Sequence, residues 1–95
     1  MAGTLFDRVK LALRIRNSAF DDDEVQPIID ACKMDLKLSN VNKAEDDDPL
    51  IQRAVILYAK GMFGYSEDSE KFMKAYEFQK ASLSVSPDYN MKGGG

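Results

Sequence analysis

Between Asp48-Pro49 and Gly64 the chain reads PLIQRAVILYAKGMFG, and its centre, Ala54 to Ala59, is apolar around much of a helical circumference. At about 100° per residue, Leu50, Ala54, Leu57, Tyr58 and Gly61 share one face, whereas Ile56 projects elsewhere, between Gln52 and Arg53. Such a helix is buried from several directions, so in a chain of 95 residues it is expected at the centre of a small bundle. Its ends are marked. Asp48 is placed to cap, Pro49 fits the first helical position, and Gly64 follows Phe63 as the residue free to turn left-handed and end the helix.

The remaining segments supply the walls. Thr4 and Asp7 open a first helix with the stripe Leu5, Val9, Ala12 and Leu13, expected to stop near Arg16-Asn17-Ser18. A second helix is expected to begin at the acidic run Asp21 to Glu24, where carboxylates meet the positive helix end, and to bury Val25, Ile28, Ile29, Cys32 and Leu36. Pro27 then falls near its first turn, where a missing N–H costs little. SNVNKAEDD, residues 39–47, is polar and aperiodic, and is expected to be a mobile loop. Ser66 is placed to cap a fourth helix with Phe72, Ala75, Tyr76, Gln79 and Leu83 on one face, ending before Ser86-Pro87. No segment alternates as a strand would, so the expected fold is all-α: a compact four-helix domain over residues 1–90, with an extended C-terminal segment, followed by a flexible tail at 91–95 that ends in three glycines, 93–95.

Composition narrows the function. The net charge of −3 and a pI near 4.8 argue against a surface built to hold phosphates. The longest apolar run is far short of the roughly 20 residues a membrane-spanning helix needs, and the N-terminus lacks a signal-type apolar stretch. A single cysteine rules out an internal disulfide, which fits synthesis in a reducing cytoplasm. With no histidine, Cys-His catalysis and the usual zinc sites are excluded within one chain. Cys32 on an apolar stripe reads as a buried thiol and not a nucleophile. The acidic runs 21–24 and 45–48 lack the alternating ligands and glycine of a calcium loop, and each precedes a helix, so capping is the better reading. Neither a catalytic residue, nor a cofactor, nor a metal is expected.

What remains is apolar surface in excess of one core. Phe78 projects beside Lys71 and Lys74, well off the Phe72-Tyr76-Leu83 stripe, and Ile56, Phe63 and Tyr65 add to it around the corner from Gly61 to Tyr65. Single exposed aromatics are common, but these four together favour a surface that meets a partner.

The order Asp48-Pro49-Leu50, QRAVILYAK, an aromatic-Gly-Tyr corner, EKFMKAYEFQKASLS and SPDYN, preceded by DDDE and VQPIIDACKMDLKLSNV, resembles the head-tail connector (adaptor) family of long-tailed phages. The resemblance runs from about Leu5 to Asn90. It implies a structural virion protein at the head-tail interface that forms a ring, typically of twelve copies, docked beneath the portal protein. The other face of that ring would receive the stopper or tail-completion protein while DNA passes through the channel. By position, helices three and four would be the subunit body and ring contact. The segment Ser86, Pro87, Asp88, Tyr89 and Asn90 would reach the portal, with Tyr89 as its anchor unless it folds back on its own helix. Two features depart from the family pattern: the glycine end and Pro27.

Three other readings stay open. A small helical cellular adaptor would use the same bundle as a monomer or dimer. A helix-turn-helix protein would need a basic recognition helix, which no segment supplies. An enzyme working through carboxylates alone would need acids across a cleft, whereas here they cluster at helix starts.

Overall fold

The computed structural model describes residues 5–13, 18–63 and 68–90, with backbone only at 13, 18–24 and 63. Among them the chain forms five helices and no strand: α1 (Leu5–Leu13), α2 (Ser18–Leu38), α3 (Pro49–Phe63), α4 (Ser69–Ser84) and a single turn, α5 (Pro87–Asn90). The all-α expectation holds. The Thr4 and Ser66 caps, Gly64 and the tail at 91–95, with its glycines at 93–95, lie outside the described residues.

α3 is the centre. It packs against α1, α2 and α4, which is why an apolar circumference suits it. Its fully covered residues are Ile51, Ala54, Val55 and Ala59, while Leu57 and Tyr58 are half-buried and Leu50 is 43% exposed. The buried arc is therefore rotated from the Leu50-Ala54-Leu57 face expected from the sequence, because three neighbours and not one decide which side is covered. α2 buries Val25, Ile29, Cys32 and Leu36 as its periodicity requires, with Ile28 half-buried. α1 adds Leu5 and Val9, and α4 adds Tyr76 and Leu83. Burying one such aliphatic side chain contributes about 1.5–3 kcal/mol relative to leaving it in water.

Three boundaries differ from expectation. α2 begins at Ser18, so the acids at 21–24 lie inside its first two turns and do not precede it. Carboxylates favour both places for the same electrostatic reason, and the sequence alone does not separate them. Pro27 accordingly stands well inside the helix, on an exposed face where water can take the carbonyl left without its donor. Third, the C-terminal segment is not extended: Tyr89 and Asn90 N–H groups donate to the Ser86 carbonyl and close α5.

The 39–47 stretch is tied down instead of loose. Asn40 adopts φ 73°, the Asn40 N–H donates to Lys37 O at 3.1 Å, and the Val41 N–H reaches back to Leu36 O at 2.8 Å. This is a Schellman ending, and its apolar follower Val41 is fully buried in the same cluster as Leu36. Downstream, Lys33 pairs with Asp46, and the Gln52 side-chain amide donates to Asp46 O at 2.8 Å. Asp48 then caps α3 as expected, accepting from the Leu50 N–H at 2.8 Å.

Candidate assembly surfaces

A partly exposed polar cluster joins α2 to α4, and its chemistry is structural. Between α2 and α4, Asp35 accepts from the Tyr76 hydroxyl at 2.6 Å and from the Lys80 ammonium at 2.9 Å, and Lys80 also reaches Glu77 at 3.0 Å. Burial raises the Asp35 carboxyl, but the Tyr76 and Lys80 hydrogen bonds and the Lys80 charge outweigh it and hold the group below its ordinary value. Tyr58 meets Tyr76 edge-on, with ring centroids 5.0 Å apart, which ties α3 to the same hub. Cys32 lies beneath. Burial pushes its thiol up to about 12, so it carries no thiolate at neutral pH and does not act as a nucleophile. Among the described residues, no group of three or more acids or cysteines is placed to hold a metal ion. Likewise, no described helix is long and apolar enough to cross a membrane.

The outward faces are different in kind. On α4, Phe78 lies about 200° round the helix from Tyr76 and is 76% exposed. Around it on that face stand the exposed Lys71, Lys74 and Val85, with the smaller Ala75, Ala81 and Ser82 between them, so the ring is an apolar knob set among lysine stems. On the outer side of α3, Pro49, Gln52, Arg53, Ile56, Leu57 and Lys60 line a depression of about 310 Å³. Ile56 is half-buried there, as part of an apolar floor flanked by two cations. Of the other two contact residues expected from the sequence, the Phe63 side chain and Tyr65 lie outside the described residues.

The C-terminal turn forms a third feature. Asn42 and Lys43 N–H groups both donate to the Tyr89 carbonyl, at 2.7 and 3.1 Å, and the Asn42 side-chain amide donates to Asn90 O at 2.9 Å. The Tyr89 hydroxyl donates to Asp48 Oδ2 at 2.9 Å, so one carboxylate caps α3 and holds the chain end. Tyr89 is turned inward, packed against the core and tied to the α2–α3 connection and not to its own helix, while Pro87 and Asp88 are the exposed members of the turn and Ser86 and Asn90 are half-buried. Sequence reading missed other exposed apolar groups: Leu11, Met34, Leu38 and Met62. The signal for Met34 and Leu38 is present in the spacing of α2, on the side opposite its core stripe.

The molecule is thus a small all-α module whose polar cluster between α2 and α4 is internally paired and whose outer faces carry exposed apolar groups. The chain matches the phage connector protein family over residues 5–90 and belongs to that family. No curated protein and no solved structure matches it. Its role is that of a structural connector, a virion component that works in contact with other head or tail proteins of the phage.

Proposed function

We propose that this connector is the subunit of a ring, twelve copies in the arrangement the family resemblance implies, seated beneath the portal and presenting its other face to the stopper or tail-completion protein. The observation that carries the ring is Phe78, a large aromatic at 76% exposure on the side of α4 away from the core. A closed ring needs a head-to-tail contact between two unlike patches. Phe78, an apolar knob beside Lys71 and Lys74 on α4, and the Ile56 hollow on α3 supply an unlike pair, with Phe63 and Tyr65 at the end of the same helix and just beyond it. The turn Ser86, Pro87, Asp88, Tyr89 and Asn90 is the portal-docking surface, in which Pro87 and Asp88 make the contact and Tyr89 holds the turn in place. A net charge of −3 suits a channel wall, since a wall rich in lysine and arginine would bind the phosphates of passing DNA. The chain needs no cofactor for this work and performs no catalysis.

The test is light scattering of the protein alone and with the portal protein from the same genome neighbourhood. A ring, or a stoichiometric complex with the portal, is expected for the wild type. Phe78→Ser should retain its helical signal and thermal midpoint yet lose the ring. A wild-type chain that stays monomeric with and without the portal overturns the proposal in favour of a small helical interaction adaptor.

A further inference from the structure

α2 carries two apolar stripes, back to back. Pro27, Ala31, Met34 and Leu38 fall within about 60° of arc, and that arc is centred opposite Val25, Ile29, Cys32 and Leu36. The inner four are fully or almost fully buried; the outer four are exposed, Met34 at 60% and Leu38 at 80%. Their spacing of four, three and four is that of the core positions in a two-helix coiled coil. One edge of this outer stripe carries Asp30 and Lys37, both exposed.

Those two charges select the occupant and its direction. In a parallel pair of identical helices, this edge meets the opposite edge of the other helix: Asp30 faces Asp35, whose carboxylate is already engaged by Tyr76 and Lys80, and Lys37 faces Asn42, so neither charge gains an opposite partner. In an antiparallel pair, the edge meets itself. When Ala31 of one copy layers on Met34 of the other, and Pro27 on Leu38, each Asp30 comes opposite the other copy's Lys37. We propose that the outer stripe of α2 is the dimer interface of the free protein, occupied by a second copy packed antiparallel about a two-fold axis between residues 32 and 33. Each contact then occurs twice by symmetry, and two identical ion pairs flank the apolar layers. About three helical turns of contact place the interface in the small, transient class, so the dimer forms only at high concentration. It closes at two copies and lies on α2, apart from the α3 and α4 residues assigned to the ring.

Sedimentation equilibrium of the full chain, without portal, between about 10 µM and 1 mM tests it, since weak associations fall in this range. A monomer-dimer equilibrium is expected. Asp30→Lys and Lys37→Asp should each weaken the dimer about tenfold or more, because each turns two attractions into two repulsions. The two changes combined should restore it to near the wild-type value, with circular dichroism confirming that every variant is folded. A monomer throughout the range overturns the proposal, as does a dimer indifferent to both single reversals. Growth beyond the dimer that Phe78→Ser abolishes and the α2 variants leave untouched also overturns it, since that association belongs to the α3 and α4 surface.

Discussion

Asp35 shows how one residue links helices and acidity. Its carboxylate serves the Tyr76 hydroxyl and the Lys80 ammonium together, and its folded pKa lies below the ordinary value as a result. A depressed carboxylate stabilises the fold above its unfolded pKa, about 3.9, and that stabilisation is lost as the pH falls through the lower, folded value. Because the side chain is 37% exposed, solvent screening keeps the effect modest. Thermal denaturation followed from pH 6 down to pH 2, roughly the window either side of the carboxylate range, should therefore show Asp35→Asn losing less stability to acid than the wild type. Equal losses would show that Asp35 does not contribute. Gly61 is constrained by space instead of charge. A Cβ there would run into the Met73 thioether and stand 3.3 Å from the Met73 backbone nitrogen. Alanine improves intrinsic helix propensity by up to about 1 kcal/mol, but pushing α4 off α3 costs about 1–3 kcal/mol. Gly61→Ala should therefore lower the midpoint of urea unfolding, and a raised midpoint would mean that Met73 moves aside freely.

At the scale of the element, the end of α2 rests on Asn40 in the left-handed region. Asparagine and glycine tolerate that conformation, and a β-branched residue does not. Asn40→Gly should leave urea stability within about 0.5 kcal/mol of wild type, whereas Asn40→Val should lose about 1–2 kcal/mol by the same measurement; equal stabilities would deny the strain. The four long helices were legible in the sequence because each carries a repeating apolar stripe, and the α3 start because Asp48 and Pro49 are specific to that position. The end of α2 was less so. Its cue is Asn40 followed by the single apolar Val41, which in a run as polar as SNVNKAEDD reads as loop until the fold shows Val41 buried beside Leu36. The start of α2 was misplaced because capping acids and first-turn acids are the same residues. α5 is one turn long and has no period to read. Of the candidate surfaces, Phe78 was legible from helical phase alone, since it breaks a charged face. The hollow around Ile56 depends on how long side chains on one helix stand apart, which a linear pattern does not encode. The contact between Tyr89 and Asp48 joins residues 41 positions apart, so only the folded chain brings it into view.

Across the whole molecule, the chain end and the α2–α3 connection hold each other. The radius of gyration, 13.3 Å, matches a compact chain of this length. The helical core is complete by Leu83, since no fully buried apolar residue follows it among those described. What α5 adds is a clasp: two backbone N–H groups from Asn42 and Lys43 on the Tyr89 carbonyl, and the Tyr89 hydroxyl on the carboxylate that caps α3. A chain ending at Val85 should therefore keep the helical signal of α1 to α4 but lose about 3–6 kcal/mol, counting the five hydrogen bonds that Tyr89 and Asn90 make with Asn42, Lys43, Asp48 and Ser84 and the packing of the Tyr89 ring. Tyr89→Phe removes only the bond to Asp48 and should cost about 0.5–1.5 kcal/mol. Amide hydrogen exchange separates the two effects. In the wild type and in Tyr89→Phe, the Asn42 and Lys43 amides should be protected, because the carbonyl they share is backbone; in the shortened chain they should exchange at the rate of open loops. If both amides stay slow without residues 86–95, the loop holds itself, and the C-terminal turn is then an attachment whose only work lies outside the domain.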